Sequence, residues 1–362
     1  LNQKIQVSIP IVGEEEISEV IKVLKSGQYV SGKYVKEFEK QFAEYIGVKY
    51  AIACNSGTSA LHMAYLSLAF DSDSYFVTTP MTFFSTISAG LFCGSRPIFC
   101  DVDDRCNMDP TSLEKVLEEH RYADIRAVVP VHFYGHPCEI KEIVRISSSY
   151  GIPVVEDCAQ AHGADFENQK VGSFGICGCF SFFATKNMTT TEGGIITTND
   201  EDIYQKCILL RSHGMVDRNT HQVLGYNYRM TEIEAAIGLV QLTKLDYLNE
   251  IRIRNSLYLQ EHIKNPKVKV FRSKSYVKDV YFWQPVFCEE SEQFSSWLTE
   301  FGIGFRFRYL EPLYRQPIFA SNYRRLYLSR SEKFSGHMFG LPNHPALTKE
   351  ELQKIVDVVN DF

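Results

Sequence analysis

Basic residues are the minority charge in this chain: 38 Lys and Arg against 44 Asp and Glu leave a formal charge of -6. That balance supplies no positive field for nucleic acid, and short basic patches would serve small anions instead. No run reaches the ~18 apolar residues that a bilayer span needs. The opening LNQKIQVSIPIVGEEE has no basic segment followed by an apolar one, so a soluble cytoplasmic protein is expected. The ten cysteines lack metal-ligand spacing: Cys177 and Cys179 are one residue apart, and no second pair or His-x-x-x-His follows. They read as reduced thiols used as small hydrophobes, with no metal site among them. Low-complexity segments and internal repeats are also missing.

What is present suits a large core. The 362 residues are 44% hydrophobic and 13% aromatic, enough for one large and one smaller domain, placed at 1–245 and 246–362. Two amphipathic helices are expected at 14–26 and 34–45, followed by a short strand at 50–54 and a helix at 60–70. From there strands and helices alternate. The strand-like runs YFVTTP, RPIFCDV, IRAVVPVHFYG and IPVVEDCAQ are apolar at nearly every position, with helices at 82–93, 110–120 and 139–150 between them. This rhythm predicts an α/β fold with a mostly parallel central sheet covered by helices on both faces. CGCFSFFAT and GGIITTND add two more strands, and a helix at 201–211 ends the alternation. The segment from Leu224 to Ile263 reads as one long helical stretch leading into a C-terminal α+β part with short strands such as VKVF and FWQPVF.

In open parallel sheets, ligands bind beyond the carboxyl ends of the strands, and the polar groups of this sequence fall there. Lys186 lies between an aromatic strand and a loop rich in threonine and glycine. Desolvation at such a place lowers a lysine toward the neutral, nucleophilic amine that a Schiff base requires; the alternative is a surface lysine pointing into water. Ser56, Gly57 and Thr58 follow a strand and open a helix, where they can cradle a phosphate or simply cap the helix. Asp157 ends a buried strand and needs a cationic or N–H partner, whether a protonated pyridine nitrogen, a salt bridge or a cap. Phe83 can offer a ring face to a flat cofactor or pack in the core, and Gln160 and His162 can line the same pocket or cap the next element. Jointly these parts match pyridoxal phosphate: an anion, a flat ring, a ring nitrogen and an aldehyde.

The motifs SGKYVKEFEKQFAEYIGVKYAIACNSGTSALHMA, PMTFFST, VHFYGHPCEI, VVEDCAQAHGA, GSFG, FSFFATKNMTTTEGG and GYNYRMTEIEAAIGLVQL occur in one order, and with them the chain resembles the DegT-type nucleotide-sugar aminotransferases, a branch of the fold type I pyridoxal phosphate enzymes. The likeness extends from about residue 8 to 245 and more faintly beyond. The resemblance implies that Lys186 forms the Schiff base and moves a proton, that Asp157 holds the pyridine nitrogen protonated, and that Phe83 and Gln160 lie on either side of the ring. Gly57, Thr58 and Ser181 would bind the phosphate, with Asn227 reaching the partner's cofactor in a homodimer with shared sites. Tyr226 and Arg229 neighbour that asparagine; His162, Arg229 and Tyr314 are carried as candidates on the substrate side, and His213, Arg218, Arg306 and Arg308 as candidates for a pyrophosphate. The implied reaction takes the amine from L-glutamate and gives it to a 4-keto or 3-keto nucleotide-diphosphate sugar, making an amino sugar for surface glycans or secondary metabolites.

Two departures stand out. Ala184 occupies a position where the family often has proline, and the C-terminal third, with GFRFRYLEPLYRQP, matches only loosely. Three rival readings are a dehydratase of the same fold, in which histidine replaces the lysine, a non-catalytic sensor, and a nicotinamide enzyme. Lys186 opposes the first, the intact Lys186, Asp157 and cradle would be surplus to the second, and NSGTSA in place of G-x-G-x-x-G opposes the third.

Overall fold

A computed structural model describes residues 4–307, 310–319 and 322–362. Helices α1 (Glu14–Ser26) and α2 (Lys33–Ile46) each end at a glycine in the left-handed conformation, Gly27 and Gly47, as expected for C-caps. The alternating region then supplies β1 (Tyr50–Cys54), α3 (Gly57–Ser67), β2 (Tyr75–Thr78), α4 (Ser85–Phe92), β3 (Arg96–Phe99), α5 (Pro110–Glu119), β4 (Ile125–Val129), α6 (Ile140–Ser149) and β5 (Val155–Asp157). Beyond a small hairpin come β6 (Cys177–Ser181), β7 (Gly194–Thr198) and α7 (Glu201–Arg211).

β3, β2 and β4 pair in parallel, single parallel bridges from Val128 to Val154 and from Val131 to Asp157 continue to β5, and β5 pairs in parallel with β6. β7 then joins β6 to β1, antiparallel to both. The strand order is therefore β3-β2-β4-β5-β6-β7-β1, mostly parallel as expected, with β7 the reversed strand. Successive side chains of each strand feed opposite layers. Ile52, Phe76, Val129 and Ile196 pack with α3 and α7 residues on one face. Ala51, Ala53 and Ile195 meet α2 and the long C-terminal-bound helix on the other, where Val77, Val128 and Val154 meet α5 and α6. All ten cysteines are free thiols, buried apart from the half-buried Cys93.

One expected element begins later than the sequence suggested. Helix α8 spans Glu232–His262, opened by Thr231, which caps Glu234 N–H while Glu234 reaches back to it. Residues 224–230 are not helical, because two of their amides are taken by the last residues of α7: Tyr226 N–H donates to the Leu210 carbonyl and Tyr228 N–H to that of Arg211. α8 passes residue 245 without a break. A second antiparallel sheet orders strands Val268–Val270, Gln284–Cys288, Met338–Leu341 and Arg306–Phe307 around a core that also takes in Ile5. No helix among the described residues is long and apolar enough to cross a membrane.

Candidate active site

The parallel strands deliver their carboxyl ends to one cavity of about 450 Å³. Ser56, Gly57, Thr58, Phe83, Asp157, Gln160, Ser181 and Lys186 all line it. The lysine loop is pinned on its strand by Phe182, whose N–H donates to the Gly193 carbonyl and whose carbonyl accepts from Thr190 N–H and Thr189 Oγ1. Thr191 takes a positive φ of 75° in the same turn. Lys186 leaves this loop with its Nζ 4.8 Å from the centre of the Phe282 ring.

Asp157 is buried at the end of β5. Thr86 Oγ1 donates to its Oδ2 at 2.7 Å and Ala159 N–H to its Oδ1 at 3.1 Å. Burial raises the pKa of this carboxyl, and the two hydrogen bonds, with the charge of Lys186, oppose the rise. Both donors, a hydroxyl and a backbone N–H, are neutral, so the carboxylate still favours a cation beside it. Its neighbour Glu156 faces the other side of the sheet, where Gly172, Phe174 and Gly175 N–H and His132 Nε2 meet its two oxygens.

The cradle forms where β1 turns into α3. Ser56 Oγ accepts from Ser59 N–H at 3.1 Å, the ordinary cap, so this hydroxyl closes the helix. Gly57 and Thr58 supply amides at the helix N-terminus, which no carbonyl of the helix itself can take. Gly57 lies so close to β6 that a Cβ there would sit 2.6 Å from Ser181 Cβ. Thr58 Oγ1 is 2.8 Å from Ser85 Oγ. Gln160 uses its amide oxygen to accept the Tyr134 N–H at 2.7 Å, and Tyr134 holds a positive φ of 54°. A buried carboxylate in want of a cation, a glycine-floored anion cradle and a lysine on one cavity fit pyridoxal phosphate.

Other expected residues lie elsewhere. His162 is fully buried between the Phe180 and Phe182 rings, and burial pushes its imidazole down to about 3, with the charges of Lys186 and Arg252 adding. Tyr314 is buried against Phe99, its hydroxyl donating to Glu332 at 2.8 Å. Neither reaches the cavity. Asn227 is exposed, and its carbonyl accepts from Asn55 Nδ2 at 3.5 Å; Arg229 lines a different surface depression together with Lys36 and Lys40. His213, Arg218 and Arg306 are exposed, and Arg308 lies outside the described residues. Sequence reading missed Thr86, Asn55 and Glu192, which also line the cavity. The available signal was the Thr82-to-Thr86 spacing of four at the start of α4, whose hydroxyls lie 2.7 Å apart.

Comparisons with known proteins agree with this geometry. The model of the DegT/DnrJ/EryC1/StrS aminotransferase family matches residues 10–360. The chain is 33% identical to the UDP-4-amino-4,6-dideoxy-N-acetyl-beta-L-altrosamine transaminase of Campylobacter jejuni, covering 96% of this chain and 94% of that protein. It is 32% identical to the GDP-perosamine synthase of Escherichia coli O157:H7, over 91% and 90% of the two. In structure it is similar to Helicobacter pylori PseC, an aminotransferase involved in the biosynthesis of pseudoaminic acid, with a TM-score of 0.94, 29% identity and 99% of each chain covered.

Proposed function

The chain belongs to the DegT/DnrJ/EryC1/StrS aminotransferase family, and on that premise we propose that it transfers an amino group from L-glutamate to a 4-keto or 3-keto, 6-deoxy nucleotide-diphosphate sugar. It is a nucleotide-sugar aminotransferase of fold type I that uses pyridoxal 5'-phosphate. The observation that carries the reading is the meeting of Asp157, Lys186 and the Gly57 cradle on one cavity. The UDP-linked and GDP-linked products in the names of its relatives support the sugar nucleotide as substrate class.

When bound, the cofactor supplies an aldehyde to take the amine and a ring to accept electrons from the substrate carbon. The chain's residues do the rest. Asp157, held by Thr86 and Ala159, would accept the ring N–H and keep that nitrogen cationic. Gly57, Thr58 and Ser181 would hold the phosphate at the start of α3. Phe83, 56% exposed in the single chain, would cover the ring, with Gln160 on its other side. Lys186 would anchor the cofactor and then carry a proton at Nζ.

The reading includes a cytoplasmic homodimer in which the exposed Asn227 of each subunit reaches the partner's phosphate site. It also assigns the cofactor to a large unit of residues 1–245 and the choice of sugar partly to a smaller unit of 246–362. The test is incubation with L-glutamate and a panel of UDP- and GDP-linked keto sugars, with mass detection of the aminated product. Product from the wild type and none from Lys186→Ala supports the reading. Equal turnover by both would overturn the role of Lys186, and no product from any keto sugar would overturn the substrate class.

A further inference from the structure

Behind Lys186 the protein buries a second cation. Arg252, in the C-terminal half of α8, is 3% exposed. Its Nη1 lies 3.5 Å from the Phe282 carbonyl and 3.5 Å from Asn343 Oδ1, both at the outer limit of a hydrogen bond, and its Nε has no partner among the described residues. Burial brings even this guanidinium down, to about 10, and no carboxylate contributes to offset it. The residue whose carbonyl it touches is the one whose ring lies under the Lys186 ammonium.

The surroundings do not cancel this charge. Asn255, Ser256 and Asn343 hydrogen-bond one another or nearby carbonyls and are neutral. His344 and His162 are held uncharged by burial, and the charge of Arg252 pushes both further down. Asp157, at the end of β5, and Glu192, whose pKa is raised by burial and by Glu234, share the cavity with Lys186. Glu156 is turned to the opposite face of the sheet, against His132. An unpaired buried guanidinium is costly, and an apolar residue of similar volume is often as stable or more so. Its electrostatic consequence for a nearby amine has a definite sign, since a like charge disfavours protonation.

We propose that Arg252 is a positioning residue for Lys186, fixing the Phe282 backbone beneath it and favouring the uncharged, nucleophilic form of the amine. The inference rests on the assignment of Lys186 as the cofactor lysine. Its test is a pH titration of the visible absorption of the full-length, cofactor-loaded protein, in the wild type, Arg252→Met and Arg252→Lys. The midpoint should rise in Arg252→Met by about one pH unit, since removing a like charge favours protonation and one neighbouring charge in a protein interior typically moves a pKa by about that much. Arg252→Lys should stay near the wild type. An unmoved midpoint in folded Arg252→Met, or an equal rise in both variants, overturns the proposal, whereas a wild type with no visible band overturns the assignment of Lys186 instead. Should neither variant fold, trace acetylation of Lys186 in the cofactor-free wild type decides: labelling must rise well below pH 10, and a midpoint at the ordinary lysine value of about 10.4 contradicts the proposal.

Discussion

Glu156 and Asp157 are consecutive, both buried and both acidic, yet they are treated in opposite ways. Glu156 faces away from the cavity and meets three backbone N–H groups and an imidazole. Asp157 faces the cavity with one hydroxyl and one N–H, and burial lifts its carboxyl pKa. The first carboxylate organises the turn at residues 172–175 and holds His132, in the loop after β4. The second, with only those two hydrogen-bond donors among the described residues, retains capacity for a further cationic partner. A buried charge with a complete set of donors is architecture; one with an incomplete set is a binding site.

The contrast is sharpest in loss of function. Asp157→Asn should fold and lose transamination by about 10³-fold, roughly 4 kcal/mol of barrier, because a carboxamide cannot hold a ring nitrogen cationic. Steady-state rates with glutamate and a keto sugar check this, and activity within tenfold of the wild type would break the comparison. Glu156→Ala should do the reverse. It strands three N–H groups, one buried and two half-buried, and the buried His132, costing about 3 kcal/mol or more in urea unfolding, and a variant as stable as the wild type would mean that those donors find other acceptors. Thr86→Val removes one neutral donor from Asp157 and should cost about 1 kcal/mol, several-fold in rate, with the melting temperature little changed.

The smallest effect is in the pH dependence of the cofactor-free protein. With its folded-state pKa raised, Asp157 binds a proton in the folded protein at pH values where the unfolded chain has released it. Its contribution therefore falls as pH rises, from about 4, the ordinary carboxylate value, through the raised folded value. Asp157→Asn lacks this loss, so its melting temperature should gain on that of the wild type between pH 4 and 7. Parallel curves would show that the carboxyl titrates normally.

Asp157 could be read from the sequence because it closes the strand run IPVVED just before the small, apolar Cys158-Ala159, whereas the donors to Glu156 lie 16 to 19 residues away. Thr86 is 71 residues from the carboxylate it serves, a distance that no local pattern spans. His162 was misplaced for the opposite reason. Nearness in sequence to Asp157 suggested nearness in space, but the turn after β5 carries the imidazole into the phenylalanine layer beneath the sheet. The strands and helices up to residue 211 were legible because apolar periodicity and caps agree there, while residues 224–230 are held extended by long-range pairing with residues 210–213. Tyr314 looked polar and available in a region of weak resemblance; the fold buries it.

The most direct test of the central claim, that Lys186 and Asp157 together make this cavity a transaminating site, is the visible spectrum of the full-length protein loaded with pyridoxal phosphate, before and after L-glutamate in the absence of any sugar. The yellow band should be present and should fade on adding glutamate, then return with a keto nucleotide sugar. A protein that stays colourless with the cofactor, or a yellow one whose band is indifferent to glutamate and to every other amino donor, would contradict it.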